Sequence, residues 1–339
     1  MWPQPGDHDV RIGLDAKRAF ANRTGLGTYS RLLIGGLSRL APDWEFFLFT
    51  PPVRQPLISQ DILDRDNVRV FTARTPLWRR LGLGRSARRQ KCHVFHGLSH
   101  ELPLFLGDMA SVVTMHDMLP FVHPELFPAI DRAVYRKKFR HACSVADLVL
   151  AVSEHTRQDV INILGVDLAK VRVQHQAISP RFFAPVADKE PTLARHGLDR
   201  PYILSVGAII ERKNLLTLVK AFQGAGFDKD LLLVVVGRGR AYEREVREFV
   251  TENSLQDRVR FLGHALVEEL PALYSGAELL AYPSSYEGFG LPIAEALACN
   301  TPVVACTGSC LEEAGGPGGL YVPPGEVEPL REALRQVLE

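Results

Sequence analysis

Residues 287–295 read "EGFGLPIAE", two carboxylates with seven residues between them, interrupted by two glycines and a proline. Ionised carboxylates accept paired O–H donors, so such a pair suits a ligand rich in hydroxyls. Gly288 and Gly290 allow close backbone approach, and the N–H groups around Phe289 to Ile293, through Leu291, then open a helix where a phosphate is well received. Pro292 fits the first position of that helix and places Glu295 in its first turn, where the dipole favours a carboxylate. Glu295 is therefore read both as a helix-start residue and as a hydroxyl ligand. Glu287, in a glycine-flanked loop, has no helical role to explain it.

"GAIIERKN" (207–214) ends a strand at Gly207 and delivers Arg212 and Lys213 just before a helix. Two cations there oppose the dipole preference, and a forked guanidinium beside a point ammonium suits a diphosphate. Hydroxyls on both sides of a diphosphate describe a nucleotide sugar. "VVVGRGRAYERE" sets Gly237 and Gly239 after another strand but supplies no third glycine at dinucleotide spacing. It reads as a tight turn near the ligand, not as an NAD site.

Nearer the N-terminus, Gly25 and Gly27 precede a helix that Thr28 can cap. Two readings stand: a mobile loop with a capped helix, or a flexible cover over a phosphate or acceptor. His116 stands at the carboxyl end of "SVVTMHD" (111–117), either as a structural imidazole or as a hydrogen-bonding partner of a sugar or phosphate. Asp117 reads as a cap for the following turn.

Elements that hold these groups follow from the apolar pattern. Short β-branched runs at 10–15, 45–50, 68–72, 94–97, 111–117, 147–153 and 171–176 alternate with helical stretches such as 28–40, 131–145 and 154–164. The rhythm restarts with strands at 202–207, 231–237, 259–263, 278–284, 302–306 and 319–322, and helices at 214–225, 241–253, 267–275, 292–299 and 326–338. This alternation predicts an α/β chain with parallel sheets. "ISPRFFAPVADKEPTLARHGLDRP" reads as a linker, with a boundary near 185 and domains at 1–185 and 186–339. The expectation is two Rossmann-like, doubly wound domains facing a cleft, with ligands beyond the carboxyl ends of the strands.

Composition narrows the classes. With 339 residues, 46% apolar and 23% charged, the chain has the profile of a globular protein of two domains. A net charge of +1 argues against bulk nucleic-acid binding. No apolar run reaches the roughly 18 residues of a membrane span, and no signal pattern opens the chain. Five cysteines without a C-x-x-C pair indicate neither a disulfide framework nor zinc, and a cytoplasmic setting is the default. The acidic triplets "DHD" (7–9) and "DRD" (64–66) read as solvated loops, so no metal is expected.

Taken in order, "TGLGTYS", "HDMLPFVHPELF", "LVLAVSEHTRQDV", "GAIIERKN", "VRFLGHALVEELPALYSGAELLAYPSSYEG" and "EGFGLPIAE" resemble the retaining glycosyltransferases of family 4, which have the GT-B fold. The resemblance implies that Glu295 holds the ribose hydroxyls and that Glu287 lies near those of the transferred sugar. It places the backbone of Gly288 to Ile293 along sugar and phosphates, and Arg212 with Lys213 on the leaving diphosphate. It closes the Gly25–Gly27 loop over the phosphates, sets His116 near the anomeric carbon, and flanks the base with Ala265 and Leu266. Many members have arginine where this chain has Ala208, a place that Arg212 fills instead. Members also continue past the match to "LREALRQVLE" with a helical segment crossing back onto the first domain, so a shortened form is expected.

The implied reaction is sugar transfer from a nucleotide diphosphate to an acceptor hydroxyl, with retention and without metal or cofactor. Among family members the chain looks most like those using GDP-mannose in cell-surface polysaccharide assembly. The stretch "RTPLWRRLGLGRSARRQK" (74–91) is basic, with Leu77, Trp78, Leu81 and Leu83 interleaved. It reads either as a solvated face or as a peripheral membrane contact near a lipid-linked acceptor. Two other functions stay open at this point: a nucleotide-sugar epimerase on the same scaffold, and a non-catalytic nucleotide-sugar-binding protein.

Overall fold

The computed structural model describes residues 9–72, 78–224 and 226–339, with the side chains of Arg79 and Arg80 left aside. Residues 74–77 of the basic stretch and most of "DHD" lie outside them. The chain divides into two compact units, Met1–Ala177 and Ile178–Glu339. The division falls before the linker position read at 185.

In the first unit the strands are β1 (Arg11–Asp15), β2 (Glu45–Thr50), β3 (Val68–Thr72), β4 (Val94–Gly97), β5 (Ala110–Met115), β6 (Leu148–Ala151) and β7 (Val171–Val173). They form one parallel sheet in the order β3-β2-β1-β4-β5-β6-β7. Side chains of a strand alternate between faces, so "EFFLFT" feeds two cores at once. Phe46 and Leu48 join Ile12, Leu14, Ile34 and Val112 on one side. Phe47 and Phe49 join Phe95, Val113, Phe139 and Cys143 on the other. A sheet buried on both faces is why these strands read as continuous apolar runs.

Unit two contains β8 (Tyr202–Val206), β9 (Leu232–Val236), β10 (Val259–Gly263), β11 (Leu279–Tyr282), β12 (Val303–Cys306) and β13 (Gly319–Val322). Their parallel sheet runs β10-β9-β8-β11-β12-β13 around a single core that includes all of β9. Each sheet reverses its strand order once, between β1 and β4 in the first unit and between β8 and β11 in the second. At such reversals neighbouring connections leave in opposite directions and open a crevice for ligands.

The strands match the sequence expectation except at their ends, and other local features differ, including short helices at Glu190–Arg195, inside the stretch read as a linker, and at Leu311–Gly315. The helix read at 28–40 spans Gly25–Leu40, so Gly25 and Gly27 lie in its first turn rather than in a loop, and Thr28 does not cap it. The side chain of Asn22 holds that end instead, accepting from the N–H of Thr24 at 2.8 Å and of Gly27 at 3.2 Å. A Cβ on Gly27 would sit 1.9 Å from the Asn22 carbonyl oxygen, so this glycine is required for packing. A short helix, Lys17–Ala21, was not read from the sequence. Within the basic stretch Leu83 is buried in the core, and the Trp78 indole donates to Ser86 Oγ at 3.0 Å. Leu83 is therefore unavailable to a lipid surface. No helix among the described residues is long and apolar enough to cross a membrane.

Candidate active site

The reversal point of the second sheet gathers the loops after β8 and β11. After β8 the chain passes close to the loop after β9: Gly207 N–H donates to Val236 O at 2.9 Å and Ile209 N–H to Arg238 O at 2.9 Å. A Cβ on Gly237 would lie 1.8 Å from Gly207 O, and one on Gly239 would lie 2.1 Å from Ile209 O. The two glycines thus serve backbone packing between neighbouring loops. Gly237, at φ 152°, is also in a region that side chains avoid. Gly237→Ala is expected to destabilise the fold by about 1–3 kcal/mol through this overlap. An unchanged denaturant midpoint would contradict it.

Arg212 and Lys213 stand just before a helix, as the sequence reading had it. They occupy a single 3₁₀ turn, Glu211–Lys213, and Asn214 follows at φ 51° before the helix Leu215–Gln223. The Asn214 amide donates to Pro283 O at 3.0 Å, and Ser285 N–H donates to Arg212 O at 2.8 Å, which ties this turn to the loop after β11. Arg212 Nη1 then reaches Tyr286 O at 2.7 Å and Glu287 Oε1 at 2.6 Å. Lys213 Nζ pairs with the same carboxylate and with the Tyr282 hydroxyl. Ser284 Oγ donates to Glu287 Oε1 at 2.6 Å, and Cys310 Sγ lies 3.1 Å from Glu287 O.

Glu287 therefore has the structural role that its sequence setting did not reveal. Its side chain is 12% exposed, against 18% for Arg212 and 14% for Lys213. Burial opposes its ionisation, but Lys213 and Arg212 outweigh burial and hold its pKa below the usual carboxylate value. Burial pulls the Lys213 pKa down while Glu287 pulls it up, and with Lys213 protonated the three side chains sum to one positive charge, which suits an anionic ligand. Tyr282, Ser284 and Cys310 were missed in the sequence. Ser284 and Glu287 three residues apart in one loop was the only available signal.

The helix Leu291–Ala298 begins one residue before Pro292, with Gly290 at φ 106° ahead of it. Ile293 N–H is taken by Gly290 O at 2.9 Å and Pro292 has none, so fewer donors face outward than the sequence reading supposed. The Ile293 side chain is fully buried, and Phe289 is buried too. No acidic residue lies in this helix's first turn, because the helix starts one residue earlier than expected and Glu295 falls just past that turn. The dipole does not explain it. Glu295 is half-buried, accepts from the Tyr274 hydroxyl at 2.9 Å, and burial pushes its pKa up to about 7.

A raised folded pKa contributes stability below the unfolded value of about 4.5 that is lost as pH rises through about 7. Glu295→Gln is therefore expected to raise the melting temperature at pH 8 and to leave it nearly unchanged at pH 5. Scanning calorimetry at both values checks the sign.

Beyond β10, Ala265 is half-buried and Leu266 is 63% exposed. Leu266 N–H donates to Glu269 Oε2 at 2.9 Å, and Arg195 holds the other oxygen of that carboxylate at 2.5 Å. Glu269, unread in the sequence, is what fixes this loop.

Four candidate residues belong to the first unit. Gly25, Gly27 and Thr28 lie on one helix, where Thr28 Oγ1 accepts from Arg31 at 3.3 Å. His116 is the first residue beyond β5 and is buried. Its Nε2 lies 2.9 Å from Leu98 O, and its Nδ1 lies 2.8 Å from the Gln176 amide nitrogen. That pattern assigns the proton to Nε2, with Nδ1 accepting. Burial, and then the neighbouring His100, push its pKa down to about 3, so it is neutral at ordinary pH.

Two parallel doubly wound units in one chain, with a cation–carboxylate cluster at a strand-order reversal, have the architecture of a GT-B glycosyltransferase. Residues 188–339 match the family model of the glycosyl transferases group 1, and residues 23–182 match that of glycosyltransferase family 4. The chain is 31% identical over 336 residues to O-antigen chain mannosyltransferase B of Escherichia coli, covering 93% of this chain and 87% of that one. It belongs to the family-4 glycosyltransferases and is an enzyme of that class. Its fold is similar to that of Anabaena HepE crystallised with UDP and glucose, at a TM-score of 0.74 and 20% identity over 98% of this chain and 90% of that one. A glycosyltransferase from Rickettsia africae shares it at a TM-score of 0.75 and 16% identity, over 97% and 88% of the two chains.

Proposed function

We propose that the protein moves a sugar from a nucleotide diphosphate to a hydroxyl of a glycan or lipid-linked acceptor, with retention and without a metal. The observation that carries this reading is the Arg212–Lys213–Glu287 cluster, which keeps one positive charge at the reversal point of the second sheet. That charge stabilises a departing diphosphate without reorganising, because Glu287, Tyr282 and Ser284 already hold the cluster in place. Glu287 Oε1 is occupied by its neighbours, and the other carboxylate oxygen would accept a sugar hydroxyl. Glu295 takes the ribose, the backbone of Gly288 to Leu291 lines the phosphates, and the Ala265–Leu266 loop flanks the base. Neutral His116 supplies no cation, and both of its ring nitrogens are engaged within the first unit, by Leu98 O and the Gln176 amide.

The E. coli relative's activity favours mannose as the sugar, and GDP-mannose in cell-surface polysaccharide synthesis is the donor we propose. A cytoplasmic enzyme with peripheral membrane contact through 74–91 fits that setting, the contact resting on the arginines since Leu83 is buried. The decisive experiment is a thermal-shift panel of nucleotide sugars, followed by NMR of the product. GDP-mannose is expected to stabilise the protein most and to give product of the donor's anomeric configuration. Stabilisation by no nucleoside diphosphate would refute the donor site, an inverted product would refute retention, and donor conversion without acceptor would point to an epimerase.

A further inference from the structure

The two glycines of the turn after β9 are fixed by packing, but the residue between them, Arg238, is exposed. Its backbone is held, because Ile209 N–H donates to Arg238 O at 2.9 Å and Gly237 N–H donates to Gly263 O at 2.7 Å. The turns after β8, β9 and β10 therefore lie side by side at the carboxyl end of the second sheet. Gly263 ends β10 at φ 70°, and a Cβ there would stand 3.3 Å from Arg238 Nε and 3.6 Å from its Nη2. The guanidinium thus rests on the bend that leads, two residues later, into Ala265 and Leu266.

Among the described residues no carboxylate forms an ion pair with Arg238. Glu243, the acid of the following helix, is already occupied: Oε2 accepts from Gly239 N–H at 2.7 Å and Oε1 from Arg247 Nε at 2.9 Å. Arg247 in turn lies over the Phe261 ring, 4.0 Å from its centre. Arg238 is left with its donors turned to whatever lies beyond the strand ends.

The strand order shows which part of a nucleotide that is. The sheet runs β10-β9-β8-β11, and the Arg212–Lys213–Glu287 cluster stands at the β8–β11 reversal. Arg238 against Gly263 stands between β9 and β10, two strand spacings away, or about 10 Å. That separation displaces it from the diphosphate toward the base, with the ribose between.

We propose that Arg238 reads the base of the donor and selects guanine, its guanidinium fork donating to O6 and N7 while Ala265 and the exposed Leu266 flank the ring. The proposal rests on the transferase reading for the presence of a nucleotide and adds what decides its base. Guanine sets two acceptors side by side on one edge, and a fork of donors fits both. Adenine places its N6 amino donor beside N7, against a guanidinium that has no acceptor to offer it. A pyrimidine carbonyl gives the fork only one acceptor on the corresponding edge.

Titration calorimetry of the full chain with GDP, IDP, ADP and UDP tests it, on the unmutated protein, Arg238→Gln and Arg238→Lys. IDP keeps O6 and N7 but lacks the 2-amino group of guanine. The unmutated protein is expected to bind GDP about tenfold or more tighter than ADP or UDP. Arg238→Gln is expected to weaken GDP and IDP by about tenfold while ADP and UDP change by less than about threefold, and Arg238→Lys falls between. An unchanged melting temperature, expected for an exposed side chain, establishes that each variant folds. GDP affinity unchanged in Arg238→Gln overturns the proposal. An equal loss for all four ligands also overturns it, since Arg238 then serves the diphosphate. So does a preference of the unmutated protein for ADP or UDP. Failure of the transferase reading looks different: the unmutated chain then binds none of the four, which removes the donor site and this assignment with it.

Discussion

Lys213→Ala lowers kcat/KM for the sugar donor by about 10²–10³-fold, the magnitude expected when one preorganised charge is removed from a developing anion. The ammonium is held 4.4 Å from the centre of the Tyr282 ring and is paired with Glu287, so its position is set before any ligand arrives. With alanine there, Arg212 and Glu287 neutralise one another and the net charge of the cluster falls to zero. Lys213→Arg keeps the charge but changes its shape, and an intermediate loss follows. Steady-state kinetics at several donor concentrations, alongside the affinity for GDP, separate ground-state from transition-state effects. Activity within about threefold of the unmutated enzyme would remove Lys213 from the mechanism.

Glu287→Ala acts mainly on stability. It leaves two cations side by side, 18% and 14% exposed, without the carboxylate that both contact. Breaking a buried ion pair from one side costs about 3–5 kcal/mol, or about 6–20 °C in the melting temperature of a unit this size. Because the folded pKa of Glu287 is depressed, its stabilisation is present above the ordinary carboxylate value and is lost as pH falls through the lowered one. The gap between unmutated and variant protein therefore narrows in acid. Pyrophosphate is expected to restore more stability to Glu287→Ala than to the unmutated protein, since an anion then replaces the missing charge. In Lys213→Ala the Glu287 substitution is expected to cost less than it does alone, because the two residues share one interaction. Additive losses, or no preferential rescue by pyrophosphate, would show that the cluster is not one electrostatic unit.

The sequence pattern located every strand of both sheets because each is a short, mostly apolar run, and the central ones, such as β5 and β9, are buried on both faces. Helix ends were legible where a cap sits next to its helix in the chain. Ser153 accepts from Thr156 N–H at 3.0 Å at the start of Glu154–Leu164, and Gly165 closes it at φ 67°. The start of Gly25–Leu40 was misread because its cap, Asn22, lies in an unrecognised turn outside the glycine-rich stretch.

The candidate site divides in the same way. The residue types at 212, 213, 287 and 295 were plain in the sequence, and so was their place beyond strand ends. Their pairing was not. Glu287 meets Arg212 and Lys213 across some seventy-five residues of chain, since β8 and β11 are neighbours in the sheet. The Tyr274 hydroxyl bonded to Glu295, the backbone contact that requires Gly237, and the Glu269 brace behind Leu266 are likewise products of packing.

The sequence by itself determined the α/β class, the strands and which residue types stand at their carboxyl ends, because local periodicity and turn chemistry depend on near neighbours. Only the tertiary structure decided that Glu287 is an ion-pair partner before it is a sugar ligand and that His116 is neutral. Charge states depend on burial and on groups distant in the chain. Those are set when the sheets assemble.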